Sequence, residues 1–134
     1  MNVVTIDHRD ATPIHVQLER GLRAAIVIGR LKAGDQLPTV RQLAVTIRVN
    51  ANTVARVYSV LERAGILETR RGIGTFVRAL PEHAWPPGER ERRLRALAVE
   101  ILADTMAAGF GIDEMFEAVE ALVRDKTEEM VSDS

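Results

Sequence analysis

Apolar and polar residues alternate along this chain with the period of helices, broken by one short stretch with the look of a hairpin. Ile14, Leu18, Leu22, Ala25 and Ile26 fall at helical spacing and predict a first helix with one buried stripe, leaving Arg20, Arg23 and Arg30 outside it. Thr12 as N-cap and Pro13 at the first helical position open it, and Gly29 ends it. Gly21 lies inside this helix and allows close packing there. Val40, Leu43, Ala44 and Ile47 form the inward face of a short second helix, opened by Thr39 and Gln42 as a capping box. After a brief turn, Asn50 caps a third helix whose core face is Val54, Val57, Tyr58 and Leu61. Its other face carries Asn52, Thr53, Arg56, Ser59 and Arg63, with no carboxylate before Glu62.

Gly65 closes the third helix, and the pattern then changes. Leu67 to Arg70 and Thr75 to Val77 read as two strands, with Arg71-Gly72-Ile73-Gly74 as the tip. The glycines permit positive φ and bare the backbone to a neighbouring surface, although an ordinary hairpin turn needs no more than this. A proline-rich boundary follows, where Trp85 anchors the linker on an apolar surface. A fourth helix starts at Glu89, with Leu94, Leu97, Ala98, Ile101, Leu102 and Thr105 on its apolar face. Gly109-Phe110-Gly111 breaks it. Asp113 then caps a fifth helix with Met115, Phe116, Val119, Leu122, Val123 and Met130 in its stripe, and the chain should fray from Val131. Residues 1–11 form a polar arm in which Val3, Val4 and Ile6 are either a weak strand or disordered.

The expected fold is mainly α with a small β-hairpin: a winged helix–turn–helix domain over residues 1–78, a linker over 79–88 and a two-helix segment over 89–134. The rear segment, about 45 residues, lies at the roughly 40–50 below which a lone core is usually insufficient. Its wide apolar faces favour pairing with a second copy, the alternative being that it folds back on its own front domain.

Charge adds a division of labour. Residues 1–80 hold 12 Lys and Arg against 6 Asp and Glu, and residues 81–134 hold 6 against 13. A basic front suits a polyanion, unless the two halves are merely different solvated surfaces. No apolar run approaches the ~20 residues of a membrane span, and MNVVTIDHRD lacks the regions of a secretion signal. With 0 cysteines there are neither disulfides nor thiolate metal sites, which fits a cytoplasmic protein.

Enzyme chemistry finds no support. His8, His15 and His83 lack metal-ligand spacing, Ser59, Ser132 and Ser134 lie in no nucleophile elbow, and Glu114, Glu117 and Glu120 read as a solvated face. Gly72-Ile73-Gly74 begins like a dinucleotide loop, but Val77 stands at the third glycine. No cofactor or metal is expected.

The run Gly34-Asp35-Gln36-Leu37-Pro38-Thr39-Val40-Arg41-Gln42-Leu43-Ala44 resembles the G-D-x-L-P-S-x-R-x-L-A signature of GntR-type bacterial transcription regulators. Val49 to Val54, then Tyr58, Leu61-Glu62 and Gly65, continue it. Arg71 to Val77 is similar to the family's wing, and Pro13-Ile14 with Gln17-Leu18 to the start of its first helix. The short rear segment looks like the YtrA subfamily. The resemblance implies a homodimeric repressor on a palindromic double-stranded DNA operator. In this subfamily such regulators often control transporter operons.

It further implies DNA contacts from Arg41, from Asn50, Ala51, Asn52 and Thr53, and from Gly72 in the minor groove. Reading the residues adds Arg56, Arg70 and Arg71, with Asn52 suited to adenine. Ala51 and Ala55 stand where some relatives carry arginine, so the operator is the chain's own. Dimerisation falls to Leu94, Leu97, Ile101, Leu102, Phe116, Val119, Leu122 and Val123. A small-molecule effector of unknown identity would sit between protomers or against the front domain. A protein–protein adaptor using the winged helix as a scaffold is the competing function; the carboxylate-free outer face of the third helix favours DNA.

Overall fold

The computed structural model describes residues 3–79 and 85–132. Residues 80–84, including Pro81 and His83 of the linker, and the side chain of Met130 lie outside the described residues. The chain divides into two compact units.

The front unit begins with the arm. Val3 and Val4 are buried core residues in irregular backbone, not a strand, which corrects the expectation for this segment. Gln17 explains how an arm without ladder hydrogen bonds stays in place. Its amide oxygen accepts from the Asp7 N–H at 2.9 Å, and its amide nitrogen donates to the carbonyls of Asp7 and Thr12 at 3.0 and 2.8 Å. One side chain thus satisfies three backbone groups that no strand partner serves. Helix α1 spans Ile14–Ile28. Its N-cap is Pro13 rather than Thr12, without a side-chain cap. The Thr12 N–H instead donates to Asp10 Oδ1 at 2.7 Å, and these hydrogen bonds hold the Asp10 carboxyl below its usual range. Leu18, Leu22 and Ala25 are buried, and Gly29 caps the helix in the left-handed conformation, as the spacing predicts.

Helix α2 spans Val40–Ile47 and α3 spans Ala51–Arg63. The capping box forms as read: the Gln42 N–H donates to Thr39 Oγ1, and the Thr39 N–H to Gln42 Oε1. The turn between α2 and α3 is residues 48–50, and Arg48 holds its left-handed corner at φ 57°. Val54, Val57, Tyr58 and Leu61 are all buried against α1 and α2. The Ile66 N–H donates to Leu61 O and the Gly65 N–H to Glu62 O, so α3 ends in a Schellman turn with Gly65 at φ 79°.

Strands β1 (Leu67–Arg70) and β2 (Gly74–Val77) pair antiparallel, with Arg70 opposite Gly74. Gly74 therefore belongs to the ladder, and the tip shortens to Arg71, Gly72 and Ile73. The stretch read as a plain loop before α2 lies along β2. Leu37 N donates to Thr75 O at 2.8 Å, Val77 N to Asp35 O at 2.8 Å and Gly34 N to Val77 O at 2.9 Å. Asp35 Oδ2 closes the turn by accepting the Lys32 N–H at 2.8 Å.

In the rear unit, α4 spans Glu89–Ala107 and α5 begins at Ile112 and runs to Ser132. The Glu89 carboxyl is held below its usual range by hydrogen bonds from Arg93 and Arg92. Trp85 meets a cation: the Arg93 guanidinium lies 4.5 Å from its ring centre. Asp113 does not cap α5. It sits in the first turn, while Glu114 Oε2 accepts the Gly111 N–H at 2.7 Å. The helix continues through Val131, where fraying was expected. No helix among the described residues is long and apolar enough to cross a membrane.

Candidate nucleic-acid interface

Three elements carry the candidate contacts, and packing ties each to the next. Helix α2 packs on α3, α3 on β1, and β1 pairs with β2. Tyr58 reinforces the first joint from the core: its hydroxyl donates to Pro38 O, 2.8 Å away, just before the Thr39 cap. Burial pushes its phenol pKa up.

Arg41, in the first turn of α2, is exposed and makes no hydrogen bond or ion pair among the described residues. On α3, Ala51, Asn52, Ala55, Arg56, Ser59 and Arg63 are exposed and Thr53 is half-buried. Asn50 is partly committed, because its Oδ1 accepts the Asn52 N–H at 2.8 Å to cap the helix. Its side-chain NH₂ remains for a ligand. Glu62, the one carboxylate of α3, turns toward the wing and accepts from Thr69 Oγ1 at 3.1 Å. The outer face of α3 thus presents amide, hydroxyl and guanidinium groups with its carboxylate occupied, a composition suited to base edges and phosphates.

The two wing arginines differ. The Arg70 guanidinium lies 4.1 Å from the centre of the Phe76 ring and 3.0 Å from Glu68 Oε1, so the hairpin itself holds and partly neutralises it. Arg71 is exposed and has no such partner among the described residues. Gly72 has φ 77°, and a Cβ built there would meet nothing within 4 Å. Its backbone is open to an approaching surface. A Cβ at Gly74 would lie 2.5 Å from Gln36 Nε2. Gln36 was missed in the sequence because its role depends on strand register. Its Nε2 donates to Ile73 O at 3.0 Å, and its backbone bridges to Phe76.

The rear unit exposes apolar side chains. Leu94, Leu97, Ile101, Phe116, Val119, Leu122 and Val123 are all exposed, Phe116 at 59%, and only Leu102 among the candidate dimer residues is half-buried. Among the described residues, α4 and α5 are not among the closely packed pairs of elements. An open pocket at their turn is lined by Met106, Phe110, Ile112 and Glu114 among others. Among the described residues no three His, Asp or Glu side chains gather to hold a metal ion.

A helical pair joined by a tight turn, with its second helix exposed on a polar face and a glycine-tipped hairpin behind it, defines a winged helix–turn–helix DNA-binding protein. Comparison with known proteins extends this to a family. The description of bacterial regulatory proteins of the gntR family matches residues 15–77. The HTH-type transcriptional repressor YtrA of Bacillus subtilis is 32% identical over 123 residues, covering 92% of this chain and 94% of that protein. The uncharacterized regulator YhcF of the same organism is 45% identical over 69 residues, 52% of this chain and 57% of its own length. The solved structure of YtrA from Sulfolobus acidocaldarius, a GntR-family transcription factor, superposes with a TM-score of 0.61 at 26% identity, covering 90% of this chain and 96% of that one. The chain belongs to the GntR family and is a DNA-binding transcription regulator.

Proposed function

We propose that the protein is a homodimeric repressor that binds an inverted-repeat operator. The observation that carries the dimer is the uncovered apolar surface of the rear unit, where Leu94, Leu97, Ile101, Phe116 and Val119 are exposed within one short segment. Aliphatic and aromatic surface of this extent on two helices that do not cover each other is stabilised by burial against an identical segment. Two front units brought together in this way address two half-sites, the geometry of dimeric helix–turn–helix proteins.

In each half-site α3 enters the major groove, with Asn52, Thr53 and Arg56 toward the bases, and Asn50 and Ala51 at its entry. Arg41 binds backbone phosphate, and Arg71 with the bare Gly72 meets the minor groove. Arg70, engaged by Glu68 and Phe76, contributes less than Arg71. Repression follows the likeness to the YtrA repressor. Control of a transporter operon rests on the subfamily likeness alone, and the genes beside the operator test it.

Sedimentation with and without a duplex selected by the full chain from random double-stranded DNA tests the model. Dimer at micromolar concentration and one dimer per duplex are expected. A monomer that binds with undiminished affinity overturns the dimer. Arg41→Ala should weaken binding and reduce the salt slope by about 2, one phosphate contact being lost from each protomer of the dimer. An unchanged slope removes the phosphate contact.

A further inference from the structure

The wing tip is held from outside the hairpin. Ile73 sits between two glycines with positive φ, 77° at Gly72 and 144° at Gly74. Both of its backbone groups are satisfied from the protein side: its N–H donates to Arg70 O at 2.9 Å, and its carbonyl accepts from Gln36 Nε2 at 3.0 Å. The Gln36 amide fills the space that a side chain at Gly74 would need. With its backbone anchored inward, Ile73 keeps its side chain outside, 64% exposed, beside the unpaired Arg71.

From these contacts we infer that Ile73 is a DNA-contacting residue and Gln36 the residue that positions it. Ile73 presents an apolar tip to the sugar walls of the operator minor groove, and Gln36 fixes its carbonyl so that the tip arrives in one conformation. This inference rests on the wing reading proposed above.

Three observations converge on it. The clamp joins residues far apart in the chain, so it is no by-product of the local turn. The residues on either side of Gln36 fix its place beside Phe76, through Leu37 N to Thr75 O and Val77 N to Asp35 O, so its side chain is carried to the tip by the register. The tip is also thin. Gly72 and Gly74 flank Ile73, and the minor groove is only about 6 Å wide, so a bulkier hairpin end would be excluded. Minor-groove proteins frequently insert apolar side chains, isoleucine among them, at base steps there. An unanchored tip would have to lose conformational freedom on binding, which weakens association.

The test uses the full chain and the duplex it selects from random double-stranded DNA. Gln36→Met keeps side-chain length but removes the donor; Ile73→Ser removes the apolar tip and leaves the clamp. Affinity is read by fluorescence anisotropy at fixed salt. Hydroxyl-radical cleavage reads minor-groove sugars, and dimethyl sulfate reads guanine N7 in the major groove. Each variant should bind about three- to tenfold more weakly, the span of one lost hydrogen bond or small apolar contact. Each should lose sugar protection beyond the half-sites while N7 protection stays at the wild-type value; the unfolding midpoint should hold in Ile73→Ser and fall slightly in Gln36→Met, which loses one hydrogen bond of the fold.

Unchanged sugar protection in Ile73→Ser overturns the inference, even if Gln36→Met fails to fold. Parallel loss of both footprints in Gln36→Met overturns the positioning role, because the residue would then support the whole domain. If Arg41→Ala and Ile73→Ser both bind like wild type, the docking model fails along with the tip. If only Arg41→Ala weakens binding, the docking model stands and the tip alone fails.

Discussion

The Tyr58 hydroxyl donates to the Pro38 carbonyl across 2.8 Å, joining the middle of α3 to the residue before the α2 cap. Tyr58→Phe should lose about 1 kcal/mol, rising toward 3 if Pro38 O stays buried without a partner. Urea unfolding measures it. The phenol pKa is raised in the folded state, so the folded chain holds this proton more tightly than the unfolded chain. Its contribution is complete below the ordinary tyrosine pKa of about 10 and is lost as pH rises above that. Wild type should therefore lose stability in alkali more steeply than Tyr58→Phe; equal slopes would show that the phenol does not couple to folding.

Arg48 holds a left-handed corner at φ 57°, a conformation that costs an L-residue about 1–2 kcal/mol. Glycine avoids that cost but loses more freedom on folding. Arg48→Gly should stabilise the chain by roughly 0.5–1 kcal/mol net. Arg48→Val should destabilise it, since β-branched side chains tolerate this corner poorly. Thermal unfolding of the pair decides the matter, and a lower midpoint for the glycine variant would show that the Arg48 side chain itself supports the turn.

Gly21 meets Val4. A Cβ at position 21 would fall 2.2 Å from Val4 Cγ2. Alanine is the better helix former by up to about 1 kcal/mol. Displacing a buried valine and the arm behind it costs more, so Gly21→Ala should destabilise by about 1–3 kcal/mol. The double variant Gly21→Ala, Val4→Ala should recover part of the loss. Additive losses in a double-mutant cycle would argue that the arm is not seated on this glycine.

Ile101→Glu and Val119→Glu place a charge on the uncovered faces of α4 and α5. Both residues are exposed in the single chain, so neither change should unfold the front unit. In the proposed dimer each charge would be buried, and sedimentation should show monomers. Operator affinity should fall by at least about tenfold as the second half-site is lost. In wild type, the midpoint of the rear unit should rise with protein concentration, as mass action requires.

Much of the fold was legible because the front unit uses local rules. The Thr39–Gln42 box, the Asn50 cap and the Gly65 Schellman turn each depend on residues within one helical turn. The errors fell where tertiary contacts decide. Val3 and Val4 looked like a loose arm because nothing local reveals Gln17 reaching back to Asp7 and Thr12. Asp113 looked like a cap because its type favours one, but Glu114 took the Gly111 N–H. At the candidate site, exposed Arg41 and Arg56 follow directly from periodicity. The split between Arg70 and Arg71 does not, since it depends on the Phe76 ring across the hairpin and on Glu68 beside Arg70 on the same strand. Gln36 was invisible for the same reason. A polar residue in a G-D-x-L-P run has no signal until the strand register brings it to the wing.

The segment from Gly34 to Leu37, hydrogen-bonded along β2, also bears on how the front unit comes apart. It pairs with β2 immediately before α2, and β2 follows α3, so these hydrogen bonds join the two ends of the helix–turn–helix. Opening the wing pulls on the chain leading into the Thr39 cap, and unwinding α2 strips a neighbour from β2. The amides of Leu37 and Val77 should then exchange with solvent through the same event as those in the middle of α3, as one cooperative foldon. A hairpin tethered only at its base would exchange far sooner.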